Sequence, residues 1–435
     1  MITAKFGGSS VASGSQIEKV MKIVREDPQR RYIVVSAPGR RQRLDIKVTD
    51  LLYRAYEEYR KNREYEDVIA LVEQRFAEIA ADLGVSVDVR EEMKIIRQNM
   101  DLGQDYVASR GEYLSAKITA AALGFPFVDA ADCVFFERGK LDELKTYDAL
   151  ADRLGDLEHA VLPGFYGRDE KGRIRTFSRG GSDITGALVP RATSSELYEN
   201  WTDVNGLLCA DPRIVENPET MTSVSYDELR ELSYMGATVL HEEAVFPCRR
   251  AGIPIYIRNT DHPEQPGTLI TAEKQKDRMV LGIAGKKGFS NIQIEKALMN
   301  AEVGFGAKVM QVLANHHVAF EHLPTSVDTM SILVASAAIK FEREELVEEL
   351  VMAVHPDIVT IEDNLALVAV VGAGFGRVGF AASLLNAVAE AGVNVRCIDA
   401  GFSGMSLIIG VDEEEFELCI RSLYEAMIQR RNRIS

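Results

Sequence analysis

The chain has 435 residues, 46% hydrophobic and 27% charged: ample apolar material for folding, but too long for one core, since single cores stop growing at about 250–300 residues. The formal net charge of −16 opposes a phosphate backbone, and the short basic clusters Arg40, Arg41, Arg43 and Arg430, Arg431, Arg433 do not reverse it, so nucleic acid is not an expected partner. The opening MITAKFGGSS lacks an apolar signal segment and no stretch approaches the ~18 apolar residues of a membrane span, which predicts a cytoplasmic protein with no membrane partner. Cys133, Cys209, Cys248, Cys397 and Cys419 lie far apart without a C-x-x-C pair and read as buried thiols rather than zinc ligands or disulfides.

From the N-terminus, Ile2 to Phe6 and Tyr32 to Ser36 read as strands. Between them Ile17, Val20, Met21 and Val24 recur at helical spacing behind a capping box of Ser15 with Glu18, which makes a βαβ unit. A polar, helix-prone stretch from Leu44 to about Leu123 leads into the apolar run Phe125 to Val128. Further strand-like runs are Ala160 to Phe165, Ile174 to Phe177, Leu197 to Trp201 and Ile253 to Ile257, with a turn at Asp169 to Gly172. The alternation predicts an α/β domain with a large, mainly parallel sheet sandwiched by helices over residues 1–272. The turn-rich Asp261 to Gly267 and the charged run Glu273 to Arg278 mark its end.

Residues 273–435 contain a weak internal repeat. Ile292 to Lys296, a loop at Gly304 and Gly306, a helix, Val318 to Leu323, Met330 to Ala335, a helix from Glu342 to Val354 and a strand Ile358 to Glu362 make a βαββαβ copy over 290–362. A second copy runs from Leu365 to Val371 past Gly374 and Gly376, through Val393 to Ile398 and Met405 to Val411, into a helix ending near Met427. It lacks a strand, and Met279 to Ala284 is the candidate to cover that open edge, so the second copy is expected over 278–289 plus 363–435 with the first inserted into it.

Chemistry concentrates in glycine-rich turns between strands and helices. Lys5-Phe6-Gly7-Gly8-Ser9-Ser10-Val11 offers backbone N–H groups to a phosphate and a lysine to a transferring phosphoryl group, although a lysine before a glycine pair also fits an ordinary turn. Ser178-Arg179-Gly180-Gly181-Ser182-Asp183 places an arginine beside a glycine nest, with Ser182 read as the N-cap of a helix; a capped helix with a surface arginine is the plainer alternative. Trp201-Thr202-Asp203-Val204-Asn205-Gly206, followed by Asp211-Pro212-Arg213, puts polar groups at a strand end, where α/β folds bind ligands. Arg110-Gly111-Glu112 lies within helix-like sequence.

Together and in this order, these segments resemble the aspartokinase family. Its K-F-G-G-[ST]-S-V stands at Lys5 to Val11, R-G-E-x-L-S at Arg110 to Ser115, F-x-R-G-G-S-D at Phe177 to Asp183, and T-D-V-x-G with D-P-R at Thr202 to Arg213; the C-terminal repeats look like the family's paired, ferredoxin-like ACT domains. The resemblance implies an ATP-dependent kinase, with Mg²⁺, that converts L-aspartate to 4-phospho-L-aspartate, the first step towards lysine, threonine and methionine. It makes Lys5, Gly7 and Gly8 the phosphate cradle with Ser9 and Ser36 beside it, and Asp183 the group that orients Lys5. Glu112 and Arg179 would hold the amino and carboxylate groups of aspartate, with Thr49, Gly180, Gly181 and Ser182 around them. Thr202, Asp203, Arg213 and Thr238 would face the nucleotide. Feedback by an amino-acid effector, lysine first and threonine second, is expected at Phe320, Pro324, Thr325 and Ser326, and assembly into a homodimer or larger homo-oligomer through the ACT domains.

The chain departs from the family pattern at Leu208, where many members carry tyrosine, and at Thr238, where they carry lysine. Those changes leave room for a catalytically impaired amino-acid sensor of the same fold. Gly374-Phe375-Gly376-Arg377-Val378-Gly379 matches G-x-G-x-x-G and would suggest a dinucleotide-dependent oxidoreductase, but only 56 residues follow Gly379 in the 435, too few for the rest of such a fold.

Overall fold

The computed structural model describes residues 1–178, 180–237, 242–273, 278–400 and 404–429. The chain forms two units: the first holds Met1–Leu207, Thr220–Asp227 and the described residues of 239–274, and the second holds Leu208–Glu219 and the described residues of 228–238 and 275–435. The excursions of 208–219 and 228–238 into the second unit have no counterpart in the sequence reading, which placed one boundary at 272/273.

In chain order the elements as far as residue 271 are β1 (Ile2–Phe6), α1 (Gly14–Glu26), β2 (Arg30–Val35), α2 (Val48–Arg60), α3 (Glu66–Leu83), α4 (Val89–Gln98) and α5 (Gln104–Leu123). They continue with β3 (Phe135–Glu137), β4 (Lys140–Leu141), α6 (Glu143–Gly155), β5 (Ala160–Pro163), β6 (Tyr166–Asp169), β7 (Ile174–Thr176), α7 (Gly181–Ala192) and β8 (Leu197–Thr202). Last come β9 (Ser223–Ser225), α8 (Tyr226–Tyr234), α9 (Glu242–Ala251), β10 (Ile255–Asn259) and β11 (Thr268–Thr271).

A seven-stranded sheet runs β5-β2-β1-β8-β10-β11-β9, parallel from β5 to β10 and antiparallel only at β10 with β11. Both faces are covered, as a parallel sheet requires, and alternate residues divide between them. Ala4, Phe6, Ile33 and Val35 join the core of α1, α2, α3 and α5. Tyr32, Val34, Ala160 and Leu162 join the core holding Leu150 of α6 with Ile184 and Leu188 of α7.

Local readings are corrected in several places. The α1 cap is Ser13, whose Oγ accepts from Gln16 N–H at 3.3 Å, two residues before the Ser15 expected. Ile174 to Phe177 does not enlarge the main sheet: β7 pairs with β6 in a separate four-stranded sheet, β4-β3-β6-β7. Phe125 to Val128 contributes only an isolated bridge from Phe127 to Val161. Cys397 is only partly buried, unlike the other cysteines.

The second unit carries β12 (Gly282–Glu295), α10 (Phe305–Asn315), β13 (Phe320–His322), β14 (Thr329–Ala335), α11 (Arg343–Val354), β15 (Ile358–Val371), α12 (Phe380–Glu390), β16 (Cys397–Asp399), β17 (Ser406–Asp412) and α13 (Phe416–Tyr424). They build one antiparallel sheet, β13-β14-β12-β15-β17-β16. The strands read separately as Met279 to Ala284 and Ile292 to Lys296 are one continuous β12, and Ile358 to Glu362 and Leu365 to Val371 are one β15. The junction is marked by Gly288 at φ +91° and by register shifts between Lys287 and Asn291, which absorb the change of pairing without breaking the strand. Gly379, at φ +82°, caps α12, and the β15 that precedes this loop is antiparallel to both its neighbours, which excludes the parallel crossover of a dinucleotide fold.

Candidate active site

The C-terminal ends of β1, β2, β5 and β8 meet the N-terminus of α7, the position where open parallel sheets place ligands. At the end of β1, Gly7 N–H donates to Trp201 O at 2.9 Å and Ser36 N–H to Phe6 O at 3.1 Å, and the chain then turns through the short 3₁₀ segment Ser9–Val11. Two backbones touch here: a Cβ on Gly8 would lie 2.9 Å from Ala37 O, and one on Gly39 would lie 2.7 Å from Gly8 C. Only glycine permits this approach, and it keeps the turn free of side chains.

Beneath the turn, Lys5 is 6% exposed. Its Nζ donates to Asp183 Oδ1 at 2.5 Å and to Asn200 Oδ1 at 3.4 Å, while Asn200 Nδ2 donates to the same Asp183 oxygen at 3.0 Å. Desolvating the Lys5 ammonium offsets much of what its pairing with the partly exposed Asp183 contributes, so this arrangement points to a use for the ammonium. Asn200 was not singled out from sequence, where the adjacent polar pair Glu199 and Asn200 within the strand-like run Leu197 to Trp201 was the available signal.

Helix α7 starts at Gly181 because Gly180 adopts φ +58°, so Ser182 lies inside the first turn and is not the N-cap. A Cβ on Gly164 would lie 2.7 Å from Ser182 Cα, which seats the helix start against the end of β5. At Gly186 a Cβ would lie 2.3 Å from the Tyr198 hydroxyl and 3.1 Å from Lys5 Cβ, so a missing side chain lets α7 rest on β1 and β8 and deliver Asp183 to Lys5. Arg179, expected to bind a carboxylate, falls outside the described residues.

Glu112, on α5, is 4% exposed, and its Oε2 is buried without a hydrogen-bond partner. Burial pushes its carboxyl up to about 8, against the opposing pull of the Ala37 N–H, its own N–H and the Arg110 charge. Arg110 is itself buried, with its guanidinium 4.7 Å from the Tyr106 ring centroid, 4.4 Å from Tyr113 and 5.3 Å from Tyr166. Thr49 stands half-buried in the first turn of α2.

Thr202 closes β8 and donates to Asp203 Oδ1 at 3.1 Å. Arg213 belongs to the second unit, where it is exposed and held by Asp211 at 2.5 Å, and Leu208 is half-buried in the same unit. Thr238 lies outside the described residues. Of the expected effector residues, Phe320 on β13 is 46% exposed, and Pro324, Thr325 and Ser326 form the turn after it, closed by Ser326 N–H to Thr329 O at 2.8 Å. Among the described residues no cluster of three histidine, cysteine or carboxylate side chains can hold a metal ion, and no helix is long and apolar enough to cross a membrane.

The profile of the Amino acid kinase family matches residues 1–259, and an ACT domain profile matches residues 368–427. Aspartokinase 3 of Bacillus subtilis (strain 168) is 37% identical over 446 aligned positions, covering 98% of each chain. The crystal structure of aspartate kinase from Clostridium acetobutylicum superposes with a TM-score of 0.91 at 44% identity, over 98% of this chain and 100% of that one. Aspartokinase III of Escherichia coli, solved with aspartate and ADP, shares the fold at a TM-score of 0.73 and 23% identity, over 98% of this chain and 99% of that one.

Proposed function

The chain belongs to the aspartokinases of the amino acid kinase family and is an ATP-dependent aspartate kinase; on that premise we propose that it transfers the γ-phosphoryl group of MgATP in line to the β-carboxylate of L-aspartate, giving 4-phospho-L-aspartate. The observation that carries this reading is the buried Lys5 ammonium, oriented by Asp183 and Asn200 beneath a glycine turn at the end of the sheet.

The aspartate carboxylate is already a nucleophile, so no phosphoenzyme is required and the protein's work is positioning and charge neutralisation. Lys5 meets the charge that develops on the transferred phosphoryl group, and Gly7, Gly8 and Ser9, with Ser36 beside them, cradle the phosphates. Glu112, with a free buried oxygen, accepts the substrate ammonium; Arg179 takes its α-carboxylate; Thr49, Gly180, Gly181 and Ser182 complete that pocket. Thr202, Asp203, Arg213 and Thr238 serve the nucleotide, whose Mg²⁺ arrives as part of the substrate.

Regulation is proposed at the Phe320 to Ser326 segment, with lysine as effector ahead of threonine, in a first step of lysine, threonine and methionine formation. Exposed Phe341, at 90%, and Val378 favour self-association through the second unit. The deciding experiment is incubation with MgATP and aspartate and capture of the acyl phosphate by hydroxylamine. Hydroxamate that accumulates with both substrates, and falls when lysine is added, is the expected result; none above background would favour an amino-acid sensor of the same fold.

A further inference from the structure

Residues 37–48 join the end of β2 to the start of α2, and their backbone touches both halves of the site. Gly39 N–H donates to Gly8 O at 2.8 Å, beneath the phosphate turn. Ala37 lies so close to α5 that a Cβ on Gly111 would sit 2.9 Å from the Ala37 Cβ, one residue before Glu112. Val48 N–H donates to Pro38 O at 3.1 Å, which ties the stretch to the helix start that carries Thr49.

The two ends of this stretch, Ala37 and Val48, are buried in the core, but apolar burial does not hold down the residues between Arg40 and Lys47. Leu44 is 93% exposed and Ile46 42%, and an open cavity of about 320 Å³ lies beside them, lined also by Leu71 and Gln74. The anchor is ionic and comes from α3: Arg75, 4% exposed, donates through Nη1 to Gly39 O at 3.1 Å and through Nη2 to both oxygens of Asp45 at 2.6 Å. Arg41 adds its Nε to Asp45 at 3.0 Å and an Nη1 bond to Glu78 at 2.9 Å. A planar guanidinium that holds a carboxylate and a carbonyl together fixes direction as well as distance, which a lysine does not do.

We propose that Arg75 and Asp45 form a clamp on residues 37–48 that sets the phosphate turn at Gly8 and the environment of Glu112 together, making Arg75 a positioning residue for the transfer. The inference rests on the kinase reading above and extends it to a helix that carries none of the glycine-rich motifs. Partial burial acts to raise the Asp45 carboxyl, but hydrogen bonds from Arg41 and the charges of Arg75 and Arg41 hold it at about 2, so the clamp stays ionised at neutral pH. Loosening it withdraws the Ala37 N–H that favours the ionised form of Glu112. Among the described residues, the charged and titratable side chains that act on Glu112 are Arg110 of its own helix and Tyr53 of α2, and neither belongs to the clamp.

The test compares wild type with Arg75→Met, Arg75→Lys and Asp45→Asn, measuring kcat, KM for each substrate, the pH profile of kcat/KM for aspartate, and thermal unfolding. Loss of the clamp should raise both KM values together by roughly tenfold to a hundredfold, the scale of hydrogen bonds to charged groups. It should also move the rise of kcat/KM with pH to higher pH, with Arg75→Lys intermediate. Should Arg75→Met fail to fold, Asp45→Asn carries the same readouts. Unchanged KM values and pH profile in a folded variant, or a lower melting temperature alone, would overturn the proposal while wild-type hydroxamate formation left the kinase reading standing.

Discussion

The two units treat charge differently. The first buries Lys5, Arg30, Arg75, Arg110, Glu112 and Glu199, whereas among the described residues of the second Glu228 alone is a buried charged side chain. In the second unit the ion pairs, such as Arg343 with Asp363 and Arg421 with Glu417, remain at the surface, and the interior of β15 from Leu365 to Val371 is wholly apolar. Buried charge is costly, so its concentration in one unit locates the part of the molecule whose sequence is constrained by more than folding.

The sharpest way to break this comparison is at Glu199. Its oxygens accept from Arg30 at 2.7 and 3.1 Å and from the Trp201 indole at 2.9 Å, directly behind the Trp201 carbonyl that seats Gly7. Glu199→Ala leaves Arg30 buried and uncompensated and should cost about 3–5 kcal/mol of stability in denaturant unfolding. A loss below 1 kcal/mol would show that these charges are solvated and the contrast only apparent.

Lys5→Ala should leave the circular dichroism spectrum unchanged but lower kcat by roughly 10²–10³-fold, about 2.7–4 kcal/mol of transition-state stabilisation, as for other lost electrostatic donors. Near-normal turnover would remove the functional reason for burying the ammonium.

Glu112 gives a pH prediction of intermediate size. With its carboxyl at about 8, the ionised fraction falls about tenfold per pH unit below that value, so kcat/KM for aspartate should climb with pH and level off near 8. The sign for folding is opposite: the folded state keeps a proton that the unfolded chain releases near 4.5, so this group costs stability as pH rises from 4.5 to about 8. Glu112→Gln should flatten both dependences. The smallest effect belongs to the second unit: Arg396, bonded to Glu362 and to Asp412 at 3.0 Å, should lose only about 0–1 kcal/mol as Arg396→Ala.

What the sequence showed follows from how local each signal is. The glycine turns at Gly7 and Gly8 and at Gly180 and Gly181 were legible because close backbone approach admits few residue types. The start of α7 was misassigned to Ser182 because a glycine in the left-handed region can begin a helix without a side-chain cap. Of the small sheet, β7 was read as the run Ile174 to Phe177 but assigned to the main sheet, while β3, β4 and β6 were missed because they span only 2–4 residues, too short for a period to register. Asn200 and Arg75 act through partners 195 and 36 residues away, at Lys5 and Gly39, and no local pattern announces such pairings.

The continuity of β12 and β15 governs how the chain can be divided. β12 pairs with β15 of the second copy through Gly282 to Lys287 and with β14 of the first through Phe289 to Glu295. A fragment beginning at Leu365 would leave the hydrogen-bonding edge of β15 bare to other molecules, and one ending at Glu362 would carry half a β12 with nothing to pair against. The two copies are thus joined into a single block that can be moved or excised intact only with both copies together.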